Sequence, residues 1–212
     1  MDDNKDKIIK KINVEKLNVV DKDGNIKMTL FGEGNIPPAI MDGEDILPGH
    51  RQDEPLSGVL FYNGEGDECG GLIFGSKRNE SGEYHSGLSL TFDQYKQDQI
   101  IQVYVDDNNG DQNYGIQIYD RPNIPLPEVV ERFKNIQNIT DESEKKEALE
   151  KLAKGQHQRI FMGKNLNGDI AVRLSDSNGK ERIRMVIDKE DIPRMEFLDE
   201  QGNVIYSLPP KL

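Results

Sequence analysis

The sequence predicts a mainly β protein, built from antiparallel hairpins and a meander, with a short helical connector between two β regions. Three observations support this class: a recurring turn motif, apolar residues that alternate with period two, and nearly constant turn spacing near the C-terminus. Only 34% of the residues are hydrophobic and Trp is absent, which indicates thin sheets with one wet face. We expect the N-terminal part to be barrel-like or sandwich-like.

The turn motif has Asp or Asn first, Gly fourth and a polar residue after it. The first side chain accepts a hydrogen bond from the backbone two residues on, and Gly adopts the positive φ that closes the loop. Between β-rich runs this predicts hairpins closed by a type I turn with a glycine bulge. The six occurrences are Asp21–Gly24, Asn63–Gly66, Asp107–Gly110, Asn165–Gly168, Asp176–Gly179 and Asp199–Gly202.

Apolar residues alternate with polar ones between these turns. The alternation is strict in Ile26–Leu30, Leu88–Phe92 and Ile116–Ile118. Successive side chains of a strand point to opposite faces, so one set lies together on one side of the sheet. We expect that apolar set to be the buried one.

The last fifty residues predict a β-meander. The turns begin at Asn165, Asp176, Asp188 and Asp199, with spacings of 11, 12 and 11 residues. The turn at Asp188 has no Gly and is assigned a loop of five residues, which keeps the apolar side chains on one face. The predicted partners are Val172 with Ile183, Arg173 with Arg182, Met185 with Met195, Arg184 with Glu196, Phe197 with Val204, and Met195 with Tyr206.

Helical spacing interrupts the β pattern in the middle of the chain. One helix is expected to start at Pro125, and a second to run from Asp141 to Lys154, with Thr140 as its cap and Gly155 as its end. The predicted organisation is an N-terminal β domain (1–122), a helical connector (123–155) and a C-terminal β-meander (156–212).

Composition limits the partners and the compartment. The chain carries 39 acidic and 27 basic residues, a formal charge of -12, which disfavours binding to nucleic acid or to an anionic membrane. Its one cysteine, Cys69, cannot form an internal disulfide, and no apolar stretch has the length of a signal peptide or a membrane span. A cytoplasmic location is therefore expected.

Several motifs resemble a family of uncharacterised bacterial proteins. They are Asn18–Gly24, Gly66–Gly75, Leu90–Gln99 and Asp120–Pro122. The resemblance covers about the first 120 residues, and the C-terminal region is similar to short Asp-x-x-Gly β repeats of other bacterial proteins. It implies a bacterial, intracellular, all-β protein and no particular activity or cofactor.

The polar stretch Asp93–Gln99 is the first candidate site. It lies between two strong β runs, where Asp93, Tyr95, Lys96 and Asp98 could bind a polar ligand or act as acid and base. The long loop from Gly32 to Leu56, rich in Pro and Gly, could form its other wall. The favoured interpretation is a wide hairpin tip whose side chains cap the backbone.

Three arginines form the second candidate site, for a partner. The predicted register places Arg173 opposite Arg182, with Arg184 nearby, on the solvent face of an acidic protein. Like charges on neighbouring strands repel unless another group neutralises them. Either Glu181 or Glu196 pairs with them, or they bind an acidic segment of another subunit.

No catalytic constellation, metal site or cofactor site is predicted. The neighbours Asp67 and Glu68 disfavour a thiolate at Cys69, and the three histidines have no zinc-ligand spacing. The Asp-rich turns lack the distal Glu of a calcium loop. We therefore predict a non-catalytic β module that acts by self-association, as a homo-oligomer, or by binding a protein partner; the alternative is a small-ligand-binding protein or enzyme using the Asp93–Gln99 loop.

Overall fold

A computed structural model describes residues 9–210. Its strands are β1 (Lys16–Val20), β2 (Ile26–Phe31), β3 (Ile40–Met41), β4 (Glu44–Asp45), β5 (Leu56–Tyr62), β6 (Glu68–Arg78), β7 (Tyr84–Asp93), β8 (Gln99–Asn108), β9 (Asp111–Asp120), β10 (His157–Lys164), β11 (Ile170–Ser175), β12 (Glu181–Ile187), β13 (Pro193–Leu198) and β14 (Val204–Leu208). Two helices, α1 (Leu126–Gln137) and α2 (Glu142–Leu152), connect β9 to β10.

Twelve strands form one antiparallel sheet, in which strands that are adjacent in space follow each other along the chain. The exception is the segment between β2 and β5, where β3 and β4 form a separate hairpin. The mainly β class is confirmed. The sheet does not close into a barrel, because its first and last strands, β1 and β14, lie at opposite edges. Apart from those of the small β3–β4 hairpin, all the strands in residues 9–210 belong to this one sheet.

The turn motif closes hairpins as predicted, with one exception. In Asp176–Gly179 the Gly179 amide donates to the Asp176 carbonyl and the Asn178 amide donates to the Asp176 carboxylate. The Gly179 φ of 76° is the positive value that favours glycine. The exception is the turn at Asn109 and Gly110, a two-residue connection in which both residues have positive φ.

The register of the meander is confirmed at β12–β13, where Met185 faces Met195 and Arg184 faces Glu196. It is wrong by two residues at the flanking hairpins. Arg173 lies opposite Arg184 rather than Arg182, because the turn pairs Asp176 with Lys180, one residue later than predicted, and a bulge at Arg182 in β12 adds the second residue. A shift of two residues leaves every side chain on the same face of the sheet, so the predicted division of residues between the two faces is unaffected by the error.

Register partners in the flanking hairpins differ accordingly. Val172 pairs with Met185 rather than Ile183, and Phe197 pairs with Tyr206 rather than Val204. The latter shift has the same two causes: the turn pairs Asp199 with Asn203, and a second bulge lies at Ile205 in β14, opposite the step from Phe197 to Leu198.

The helical connector is present where the sequence predicts it. The cap of α2 is Asp141 rather than Thr140, because the Asp141 carboxylate accepts a hydrogen bond from the Glu144 amide. Gly155, with φ of 88°, follows the end of α2. Within residues 9–210, neither helix combines the length and apolar character needed to cross a membrane.

The two β regions are joined directly, because β9 pairs with β10 along most of its length. Gly115 and Gly163 face each other at this junction, and a Cβ on Gly163 would lie 2.0 Å from the Tyr114 carbonyl oxygen. The backbones are therefore too close for any side chain at either position. The division of the chain into domains stays a prediction.

The buried apolar residues lie on one side of the sheet. Phe31 and Leu60 pack with Ile36 of the 32–55 loop, and Phe161 packs with Ala171 and Val186 in the C-terminal half. The long loop is thus folded against the sheet.

Candidate functional site

The structure divides the four predicted residues of the Asp93–Gln99 stretch into two groups. Tyr95 and Lys96 are at the tip of the turn, where Lys96 has a positive φ of 56°. Asp93 and Asp98 lie at its base, beside the 32–55 loop, and line a cavity. The stretch is therefore a hairpin tip on one side and a cavity wall on the other.

Lys96 is the centre of an ion-pair cluster. Its Nζ lies 2.5 Å from Asp42, 2.9 Å from Glu65 and 2.8 Å from Asp67, and these hydrogen bonds raise its pKa. Burial opposes ionisation of Asp67, but the bond from Lys96 and one from the Asp42 amide hold the Asp67 pKa below its ordinary value. Tyr95 completes the cluster by donating to the Glu65 carboxylate.

This cluster has a structural role, because every charged group in it is paired with another group of the same chain. It connects three segments that are distant in sequence: the β3–β4 hairpin, the turn at Asn63–Gly66 and the tip of the β7–β8 hairpin. Asp67 is only 1% exposed, and the ammonium group offsets the cost of burying its charge.

Asp98 and its neighbour Gln97 attach the helical connector to the sheet. Asp98 pairs with Arg121 at 3.1 Å, and Arg121 Nε donates to the Gln99 carbonyl. The buried Gln97 side chain donates to the Ile124 carbonyl just before α1. These contacts fix where the chain leaves the sheet to form the helices.

Asp93 differs from the other three residues. It borders a cavity of about 260 Å³ between the 32–55 loop and the sheet. Burial, followed by the charges of Asp98 and Glu68, raises its pKa from 3.8 to about 7, despite the opposing charges of Arg121 and Arg51. An acid that changes charge near neutral pH at the wall of a cavity is a candidate binding group.

Arg51 fixes the 32–55 loop, which forms one side of this cavity. Its side chain is 11% exposed and donates to the carbonyls of Pro37 and Pro38 in the loop and to both oxygens of Glu68 on β6. A guanidinium group can satisfy such a fork of acceptors, which a lysine cannot. The predicted wall of the site is therefore an ordered layer fixed to the sheet.

Nucleophilic and metal chemistry gain no support from the geometry. Burial, with the charges of Asp93, Glu68 and Asp67, raises the pKa of the Cys69 thiol and disfavours the thiolate. Within residues 9–210, no three His, Cys, Asp or Glu side chains are arranged to hold a metal ion.

The three arginines of the predicted partner site have acidic neighbours in the same chain. Arg173 lies 3.6 Å from Glu181, Arg182 lies 3.4 Å from Asp176, and Arg184 lies 2.5 Å from Glu196 and 3.1 Å from Glu181. Arg173 also lies over the Phe161 ring. These pairs neutralise the like charges that motivated the prediction of a docking surface, which stays a prediction.

The two faces of the sheet differ sharply along their whole width. Residues that face each other on neighbouring strands share a face of the sheet. One row of such partners crosses all twelve strands and is entirely apolar: Leu17, Leu30, Val59, Leu72, Leu90, Val103, Ile116, Met162, Val172, Met185, Met195 and Leu208. We call this row the central row and its side of the sheet the apolar face.

The adjacent row points to the opposite side, which we call the polar face. It consists of Asn18, Thr29, Leu60, Gly71, Thr91, Gln102, Gln117, Phe161, Arg173, Arg184, Glu196 and Ser207. Both sheet clusters of buried apolar residues, and the 32–55 loop, lie on the polar face.

No segment of residues 9–210 covers the apolar face. None of the central row is buried, and the exposed fractions of Leu17, Leu30, Val103, Met162, Met185 and Leu208 range from 37% to 48%. Residues beside the row are equally open, including Phe74, Leu88, Phe92, Ile101, Val105, Ile170, Leu174, Ile187 and Tyr206.

The expectation that the alternating apolar residues are buried is therefore wrong for the single chain. Leu88, Leu90 and Phe92 belong to the apolar face, whereas the buried residues are on the other face. The period-two pattern was the available signal for this surface, but alternation does not specify which face another segment covers.

Comparisons with protein-family models and with curated proteins find no match to this chain. The resemblance of its motifs to a bacterial family stays a prediction.

Proposed function

We propose that this protein is a non-catalytic association module, which acts by packing the apolar face of its sheet against a protein surface. The single observation that carries the proposal is the central row, an uninterrupted line of uncovered apolar side chains on all twelve strands. The partner surface is either a copy of the chain or another protein.

The size of the face supports this function. Twelve strands, with three positions of the apolar face counted on each, span roughly 53 Å by 17 Å, about 900 Å², from ordinary strand spacings. Folded monomers usually expose apolar patches of about 300–600 Å² at most. A larger face represents a substantial free-energy cost in water unless a partner covers it.

The arrangement of polar groups supports the same function. The Lys96 cluster and the Arg51 pair are internally satisfied, so they stabilise the fold without requiring a ligand. A free thiol at Cys69 is compatible with the expected cytoplasmic location.

The proposal is tested by introducing charge on the apolar face. Val103→Lys in the middle of the sheet should abolish association or, in a free chain, binding of the hydrophobic dye ANS, without loss of the β circular dichroism spectrum. Leu166→Lys is the matched control, because Leu166 is an apolar residue, 69% exposed, in the turn between β10 and β11 and therefore outside the strands that form this face. A wild-type chain that neither associates nor binds dye would contradict the proposal.

The cavity at Asp93 favours a second candidate, the binding of a small cationic ligand. Glu68 is paired with Arg51 and Asp98 with Arg121, so Asp93 is the acid whose charge depends most on what enters the cavity. Ethylammonium at millimolar concentration should then raise the thermal midpoint of the wild type but not that of Asp93→Asn. Equal effects on both proteins would dismiss this candidate.

A further inference from the structure

We infer that the occupant of the apolar face is another copy of the same chain, packed apolar face against apolar face. This inference rests on the proposed function and specifies its partner. It follows from the area, the charge distribution and the accessibility of the face.

The area is sufficient for a stable interface between copies. A standard protein–protein interface buries about 800 Å² on each partner, and the apolar face offers about 900 Å² by the strand spacings used above. Interfaces between permanently associated subunits are also the more hydrophobic class, which matches the central row.

The charge distribution favours a copy over a different protein. The chain has a formal charge of -12, yet the central row contains no charged residue. Charged residues such as Arg184 and Glu196 lie on the polar face, where each is paired. Packing the apolar faces together therefore directs most of the charged surface of two acidic copies outward. Lys164, two residues from Met162 on β10, is a charged residue in the row beside the central row.

The face is also self-complementary and accessible. An interface related by two-fold symmetry brings the same surface of each subunit together, which a uniform apolar row satisfies in any register. The 32–55 loop and Leu126 at the start of α1 lie on the polar face, so they do not obstruct a second sheet. Facing sheets pack about 10 Å apart, with their side chains interdigitated.

Pairing through the open edges of β1 and β14 would not substitute for this contact. Edge pairing extends the sheet by backbone hydrogen bonds and leaves the apolar side chains in water. Only contact through the face removes Val103 and Met185 from solvent.

The test is the mass of the full chain in solution, measured by light scattering over a range of concentrations. We expect a whole-number multiple of 24.1 kDa, at least twofold, for the wild type and for Leu166→Lys. Val103→Lys and Met185→Lys should each reduce the mass at least twofold, to 24.1 kDa, with an unchanged circular dichroism spectrum. Two variants in different halves of the sheet are used so that one remains informative if the other does not fold.

Each other outcome overturns the inference. Wild-type oligomers that retain their mass in both folded lysine variants would show that a different surface associates. A wild-type mass of 24.1 kDa with strong ANS binding, lost in Val103→Lys, would reject the copy as occupant and leave the proposed function intact. The same mass without ANS binding would reject both.

Discussion

Removing the Arg51 guanidinium should release the 32–55 loop from the sheet. Arg51→Met keeps most of the length of the apolar stem and deletes the charged fork. Four hydrogen bonds are lost: those to the Pro37 and Pro38 carbonyls, at 2.9 and 3.1 Å, and two to Glu68, at 3.0 and 2.5 Å.

The expected loss of stability follows from the burial of this pair. The Arg51 side chain is 11% exposed and that of Glu68 is 19% exposed, so the substitution leaves a largely buried carboxylate without its partner. Removing one partner of a buried ion pair costs about 3–5 kcal/mol. Because Glu68 borders the cavity and water can reach it, we expect the lower end of that range.

Urea unfolding followed by circular dichroism measures this loss, and amide exchange locates it. The Asp42 amide, which donates to Asp67, and the Ile46 amide, which donates to Ala39, should exchange faster in the variant. Lys22→Met is the control, because the exposed Lys22–Asp23 pair should contribute less than about 0.5 kcal/mol. Unchanged stability and unchanged amide exchange in Arg51→Met would refute the role of Arg51 in holding the 32–55 loop on the sheet.

Three further substitutions test the neighbouring contacts. The raised Asp93 pKa means that the folded protein binds more protons than the unfolded chain between about pH 4 and 7, so stability falls as pH rises through that window. Asp93→Asn should be more stable than the wild type at pH 8, by at most roughly 4 kcal/mol, with little difference at pH 4; equal urea midpoints at pH 8 would be contrary to this. Lys96→Met should lower the thermal midpoint by leaving Asp67 buried without its cation, and adding Asp67→Asn should restore part of the loss; additive losses in the double variant would exclude the coupling. Gly163→Ala should destabilise the protein by about 3 kcal/mol, since its Cβ would overlap the Tyr114 carbonyl oxygen; a urea midpoint like that of the wild type would mean that β9 and β10 are not this close.

Local features of the fold could be predicted because their causes are local. Glycine at the fourth turn position requires only the residues of the turn, and Gly179 has the expected positive φ. The helical connector follows from apolar spacing and from end signals such as Gly155. The errors of register at β11–β12 and β13–β14 come partly from turns that close one residue later than predicted and partly from bulges, which turn chemistry alone does not specify.

The site could be predicted only in part because its contacts are long-range. The place of Asp93 between two strands predicts it as a site residue, but the cavity depends on a contact between Arg51 and Glu68, which are 17 residues apart. The same position predicts Lys96 as a site residue, yet its partner Asp42 is 54 residues away in sequence, and the contact between them gives Lys96 a structural role. The apolar face was visible as alternation, but its exposure depends on the side of the sheet against which the 32–55 loop folds.

The mass of the Met185→Lys variant, measured beside the wild type at the same concentrations, tests the central claim most directly. If the apolar face holds copies of the chain together, the wild type should have at least twice the mass of one chain and the folded variant should have 24.1 kDa. A wild type and a folded variant with the same mass, whether that of one chain or of several, would contradict the account.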